Sequence, residues 1–437
     1  MKMNKGQRLY KNAKKIILGG NMLLSKRPEM FLPNLWPSYF YKAKDIYVWD
    51  LNKIKYTDMI CAVGQSILGY SNEKLNLEIS KSIKLGNMTT LNCPEEVELT
   101  KKLLSLHPWA KMAKYARSGG EANAIAIRIA RAASRKDGVA ICGYHGWHDW
   151  YLSVNLRGKN KLSKHLLKGL EPAGVPKSLK NTVYPFKYGD YAEIEKIVKN
   201  KNIGTIKMEV SRLDLPNVPF LKKIRKLATK NKIVLIFDEC TSGFRQNYGG
   251  LHMKYKVYPD IAMFGKALGN GFAITSVIGR KNIMKKAANS FISSTFWTER
   301  IGFVAGLKTL ELMKQKNSWD IIVNNGKYFN FKIKNIAEKY NLKIQITGIE
   351  SITSFNFLYK KNLAYKTFIT QEMLKKKYLA SNQIYLTIFH TKKIIDKYIK
   401  ELDPIFKKIK SFEKNKINIK KFIKKEVCHQ TFQRLNS

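Results

Sequence analysis

Apolar positions follow two rhythms along this chain. Between about residues 95 and 310, short apolar runs alternate with stretches in which apolar residues recur every three or four positions. The runs are Gly138–Gly143, Gly204–Val210, Ile233–Phe237, Ile261–Phe264 and Ile274–Ile278; the helix-like stretches include Glu121–Ser134 and Pro219–Lys230. Continuous apolar strands alternating with helices predict a mostly parallel sheet covered on both faces, an α/β fold. Before it, Asp45–Asp58 reads as two short strands around Asn52-Lys53. After about residue 330 the chain turns Lys/Ile-rich, with helical spacing over Thr391–Lys410, which predicts a smaller α+β domain. Domain limits are expected at 1–60 (a segment contributing to the small domain), 61–325 and 326–437. Asn155–Lys180, rich in Gly, Pro and Lys, reads as a long surface loop.

Composition narrows the function less than it first promises. Of 437 residues 44% are hydrophobic, enough for sizeable cores and too many for a disordered chain. The net charge is +48, from 80 basic and 32 acidic residues. Only 13 of the basic residues are Arg, and the Lys are spread along the whole chain. Base readout favours Arg, and no finger spacing or basic-region heptad occurs, so specific nucleic-acid binding is not expected. The charge reads as a solvated surface. Five scattered cysteines do not form a disulfide framework. With no leader-like segment and no apolar run of about 18 residues, the expectation is a soluble, cytoplasmic protein without a membrane span.

Four local patterns carry chemistry. Lys266 is the only charge between Ile261 and Gly279. An ammonium in apolar surroundings is disfavoured, which frees the amine as a nucleophile; the alternative is a lysine snorkelling from a strand end. Asp238 follows the run Ile233–Phe237 and so stands at the carboxyl end of a buried strand, where ligands of α/β sheets bind. There it can hold a protonated pyridine nitrogen, or merely cap the turn at Thr241–Gly243. Ser118-Gly119-Gly120-Glu121 is a capping box whose glycine-rich helix start also presents free amides to a phosphate. Tyr144-His145-Gly146-Trp147-His148 follows a strand, where an aromatic can stack on a planar ring. Cys142, His145 and His148 lack a fourth zinc ligand, so no metal is expected and the histidines read as solvated.

Together these segments resemble the class III, fold-type I aminotransferases that depend on pyridoxal 5′-phosphate, especially the glutamate-1-semialdehyde aminomutase-like branch. The resemblance runs from Leu18-Gly19-Gly20 through Tyr47–Asp58, RSGGEANAIAIRIARA, YHGWHDW, FDECTSGFR and FGKALGNGF into the terminal region. It implies a large cofactor-binding domain with a mixed, mostly parallel sheet and a smaller α+β domain. It also implies a role for each residue. Lys266 would bond the cofactor and shuttle protons, Asp238 would pair with the ring nitrogen, and Tyr144 would lie against the ring. Ser118, Gly119 and Gly120 would hold the phosphate, joined by Thr295 from a partner subunit in a homodimer. Glu209 would lie near the cofactor and Arg27 would meet a substrate carboxylate. The implied reaction moves an amino group from a small-molecule donor to an oxo acceptor; the alternatives are an intramolecular aminomutase and a basic polyanion binder.

The chain departs from the family at Phe296-Trp297-Thr298-Glu299-Arg300, where small residues and Asn-Pro are usual. A glutamate at that entrance would repel a carboxylate, which leads to the expectation of intermolecular transfer on a substrate less acidic than glutamate semialdehyde. The 155–180 loop is placed by the resemblance as a gate.

Overall fold

In this computed structural model, residues 3–158, 161, 169–211 and 215–430 are described. The chain divides into two compact units, Met1–Asn72 with Ile321–Ser437, and Glu73–Asp320.

The first unit holds two small sheets. β1 (Phe40–Lys44), β2 (Tyr47–Asp50) and β3 (Lys55–Asp58) form an antiparallel meander. The turn expected at Asn52-Lys53 is present, with Lys53 in the left-handed region and Asp50 Oδ1 accepting the amides of Asn52 and Ile54.

The second unit is built on seven strands: β4 (Met112–Ala116), β5 (Gly138–Cys142), β6 (Val183–Pro185), β7 (Ile203–Glu209), β8 (Val234–Glu239), β9 (Ile261–Phe264) and β10 (Thr275–Gly279). Their order is β4-β10-β9-β8-β7-β5-β6, parallel throughout except that β10 runs antiparallel to both neighbours. β5, β7, β8, β9 and β10 are buried along their full length, which is why they read as largely apolar runs, broken by Lys207 and Glu209 in β7 and closed by Asp238-Glu239 in β8. β4 and β6 were not expected. Met112–Ala116 is interrupted by Lys114 and half-exposed, and Val183–Pro185 is only three residues long at the sheet edge. The helix Gly119–Ser134 packs its Ile125, Ile127 and Ile129 with Val139, Ile141, Ile236 and Met263 of the sheet. Of the expected 155–180 loop, residues 159–160 and 162–168 lie outside the described residues; tight 3₁₀ turns occupy Ser153–Arg157 and Lys177–Leu179.

The first unit closes with β11 (Ile344–Thr347), β12 (Ile352–Phe357), β13 (Tyr378–Leu379) and β14 (Gln383–Tyr385), and with the helix Lys392–Lys414. β13 joins β3 in parallel, whereas β11, β12 and β14 form an antiparallel sheet.

Candidate active site

The direction of the strands gathers chemistry on one edge of the seven-stranded sheet. β4, β5, β7, β8 and β9 all end there, and at or just beyond their ends lie Ser118–Gly120, Gly143–His145, Glu209, Asp238–Thr241 and Gly265–Lys266. Ligands of open α/β sheets bind outside such carboxyl ends.

Asp238 is buried at the end of β8, paired in register with Glu209 on one side and Met263 on the other. Its Oδ1 accepts the Cys240 amide at 3.1 Å, so it does cap the following turn. Its Oδ2 faces inward, 2.9 Å from His145 Nδ1 and 3.8 Å from Lys207 Nζ. Burial alone would raise the Asp238 pKa. The Lys207 charge and the His145 hydrogen bond outweigh it and hold the carboxylate well below its ordinary range. His145 is the reverse case: burial lowers its pKa despite Asp238, so a neutral imidazole donates its Nδ1–H to a carboxylate. The expectation of a solvated His145 is therefore wrong, because Trp150 and Tyr151 wall it in completely. Among the described residues no group of three or more His, Cys, Asp or Glu side chains is placed to share a metal ion.

The neighbouring Glu239 points to the other face of the sheet and has a different task. Its carboxylate accepts Ser242 Oγ, the amides of Leu251 and His252, and His252 Nδ1, which ties down the turn that follows Asp238. Trp109 Nε1 donates to His252 Nε2 at 2.9 Å, so the hydrogen of that ring sits on Nδ1.

Lys266 directly follows β9 and Gly265. Its φ of +35° is in the left-handed region, which costs a side-chain-bearing residue about 1–3 kcal/mol and is tolerated where the surroundings impose it. Nζ donates to Thr241 Oγ1 at 2.8 Å, which aims the amine along the end of β8. Cys240 separates this segment from the phosphate-type turn: its Sγ would lie 3.4 Å from a Cβ at Gly265 and 3.9 Å from one at Gly119.

At Ser118 the capping box is complete. Glu121 N–H donates to Ser118 Oγ, while Glu121 Oε2 accepts both the Ser118 amide and its hydroxyl. The Ser118 groups are thereby engaged, and the amides of Gly119 and Gly120 are the first of the helix, without intrahelical acceptors. A Cβ at Gly120 would meet His148 Cε1 at 2.8 Å, so the turn closes around the imidazole only because residue 120 is glycine. Tyr144 is 40% exposed, edge-on to Tyr151, and its amide donates to Glu209 Oε2 at 3.0 Å. Gly143 makes that contact possible: its φ is +117°, and a Cβ would stand 2.5 Å from the same oxygen.

The entrance segment corrects one expectation. Glu299 is not a free charge able to repel a substrate, since its carboxylate lies 3.5 Å from Arg117 Nε and accepts from Asn87 Nδ2 at 3.1 Å. Arg117 in turn donates to the carbonyls of Phe296, Trp297 and Glu299, and Trp297 Nε1 donates to Glu121 Oε1. Arg300 grips Glu95 through Nε and the terminal amine. The bulky departure from the family pattern is thus a ladder fastened to Arg117. Thr295 is exposed at its start. Arg27 belongs to the first unit, between two 3₁₀ turns, with its guanidinium packed over Gly19.

Sequence reasoning missed His145, Lys207, Thr241 and Arg117. Lys207 sits in a mostly apolar run, as Lys266 does, but with Glu209 two residues on. Arg117 carried no signal, because its partners are backbone carbonyls about 180 residues away.

A model of the class-III aminotransferases matches residues 34–377, and the chain belongs to that family. The 3-aminobutyryl-CoA aminotransferase of Cloacimonas acidaminovorans (strain Evry) is 32% identical over 377 residues, 83% of this chain and 87% of that protein. The glutamate-1-semialdehyde 2,1-aminomutase of Methanocaldococcus jannaschii is 29% identical over 443 aligned residues, 93% of this chain and 99% of its own. Among solved structures, the pyridoxal-phosphate form of the FumI protein of Sphingopyxis sp. MTA144 shares the fold, with a TM-score of 0.85 and 19% identity over 97% of this chain and 99% of that one. The expected fold type, enzyme class and cofactor hold: the protein is an aminotransferase that works with pyridoxal 5′-phosphate on an amino donor and an oxo acceptor. No helix among the described residues is long and apolar enough to cross a membrane. The donor set suits that cofactor in kind, since a buried ionised carboxylate, a lysine amine and a pair of helix-first glycine amides share one sheet edge.

Proposed function

We propose that this chain carries out intermolecular amino transfer at the edge formed by Asp238, Lys266 and the Gly119–Gly120 helix start. The observation that carries the reading is Asp238, an ionised carboxylate kept out of water and backed by a neutral histidine. When bound, pyridoxal phosphate supplies an electron sink for charge developing at the substrate carbon. Lys266 would hold the cofactor through Nζ and would move the proton at that carbon. Thr241 keeps the amine aimed between turnovers. Asp238 orients the ring through its nitrogen, and His145 keeps the carboxylate ionised and fixed. Gly119 and Gly120, with Ser118 holding the turn, bind the phosphate at the positive end of the helix dipole. Tyr144 covers the ring, and Glu209 positions Tyr144 through its amide. Arg27 remains our candidate for a substrate carboxylate, as the resemblance implies.

A homodimer is part of the proposal, with Thr295 contributing to the partner's phosphate site. Exposed Phe291, Phe296 and Trp147 on the same unit, at 84%, 66% and 68% exposure, supply apolar surface for such an interface. Five free cysteines suit a reducing cytoplasmic setting.

The similarity to the aminobutyryl-CoA aminotransferase favours transfer between two molecules, and the similarity to the aminomutases makes isomerisation the second reading. Purified enzyme mixed with one amino donor and no acceptor separates them. Stoichiometric oxo product with pyridoxamine phosphate left on the protein supports transfer; isomerised amine without oxo product supports the aminomutase.

A further inference from the structure

Beyond helping to keep Asp238 ionised, Lys207 has no task in the amino-transfer reading. It lies on β7 with its side chain wholly sealed from solvent, on the sheet face shared by Glu209, Asp238 and Met263. Nζ is 3.0 Å from Met263 Sδ and 3.8 Å from Asp238 Oδ2. A thioether is a poor partner for an ammonium, and burying a cation without compensation is costly. Burial lowers the Lys207 pKa, and the carboxylates that face it offset part of that loss. The ionisable groups facing Lys207 are Asp238 and Cys240 at the end of β8, Glu209 on its own strand and His145 beyond β5. Asp238 Oδ2 thus already serves His145 and Lys207, while Oδ1 serves the Cys240 amide.

We propose that Lys207 is a built-in rival cation for the Asp238 carboxylate, positioned to weaken the hold of Asp238 on the proton of the cofactor's ring nitrogen. Lys207 is a positioning and tuning residue, not one that touches the reacting atoms, and its role rests on the cofactor reading above. A positive charge within 4 Å of the carboxylate lowers the negative potential that Asp238 presents to a second cation. The chain therefore runs its chemistry with a ring nitrogen less strongly protonated than an aspartate–histidine pair alone would make it.

The test compares two cofactors on the full-length apoprotein: pyridoxal phosphate, and its deaza analogue, in which C–H replaces the ring nitrogen. The ratio of their dissociation constants isolates the contact with Asp238. In Lys207→Met and Lys207→Gln, both neutral and of similar length, preference for pyridoxal phosphate over the analogue should rise about tenfold. A purely structural role changes both affinities together and leaves the ratio flat. A flat or reduced ratio in the variants overturns the proposal. Should neither variant fold, wild-type enzyme loaded with ¹⁵N-labelled pyridoxal phosphate decides. A ring nitrogen that titrates between about pH 6 and 9 supports the rival cation, and one fully protonated throughout overturns it. Failure of wild-type protein to bind either cofactor would instead refute the cofactor site itself.

Discussion

His145 Nδ1 stands 2.9 Å from Asp238 Oδ2, with both side chains closed off from water. Ninety-three positions separate them in sequence, and burial sets the charge of one while its neighbours set the charge of the other. The imidazole stays neutral because burial penalises its cation, and the carboxylate stays ionised because a donor and a lysine face it. Replacing His145 by Ala leaves Asp238 short of a hydrogen bond worth about 1.5–3 kcal/mol to a charged acceptor. Pyridoxal phosphate should then bind at least tenfold more weakly in equilibrium dialysis. Unchanged affinity would remove His145 from the cofactor site.

Lys266→Ala is expected to lower the rate by about a thousandfold or more, since it removes the amine proposed as both covalent anchor and proton carrier. Borohydride reduction of the loaded wild-type enzyme, followed by peptide mass spectrometry, should place the cofactor on the Lys266 peptide. Label on another of the 67 lysines would contradict the assignment.

The entrance ladder depends on Arg117 having room. A Cβ at Gly302 would fall 2.3 Å from its guanidinium and 2.9 Å from the Ala273 carbonyl. Gly302→Ala should therefore displace Arg117 and destabilise the protein by about 1–3 kcal/mol. Limited proteolysis should cut residues 296–299 faster in the variant, and an unchanged digestion pattern with an unchanged urea midpoint would argue against the ladder.

Stability should fall as the medium is acidified from pH 7 to 5. His107 and His390 are buried, and burial pushes each pKa down to about 4. The unfolded chain takes up protons near pH 6.5, whereas the folded one does not until about pH 4. The unfolded state thus binds more protons in that window, and stability is lost as pH falls through it. Each histidine costs about 2 kcal/mol by pH 5. Urea midpoints measured at pH 7, 6 and 5 read this directly. His107→Gln should flatten part of the slope, and a slope that it leaves untouched would assign the loss to other groups.

Where a single physical signal dominated, the sequence was readable. The fully buried strands announced themselves because both faces demand apolar residues, and Lys266 stood out as a charge in such a run. The capping box at Ser118 was legible because its hydrogen bonds are local. β6 was too short to show a period, and β4 was disguised by Lys111 and Lys114. His145 and Arg117 were silent for a different reason: each is defined by a partner brought near only by the sheet. Glu299 shows the risk of reading a charge without its partner, since Arg117 and Asn87 turn an apparent barrier into an internal tie.

The position of β10 has a consequence for how this enzyme comes into being. It is wedged between β4 and β9, pairing Thr275 with Ala116 and Ser276 with Phe264, and Thr275 Oγ1 donates to the Ser118 carbonyl. The turn at Ser118 and the amine of Lys266 are therefore bridged by a strand that leaves the ribosome after both of them. Until synthesis has passed residue 279, β4 has no neighbour in the sheet. Closing a loop of about 160 residues is entropically expensive and slow, so this pairing belongs among the late events of folding. Uptake of the vitamin-derived coenzyme should thus report closure of the seven-stranded sheet: nascent chains halted before β10 stay colourless, and colour develops only once that strand has slotted home.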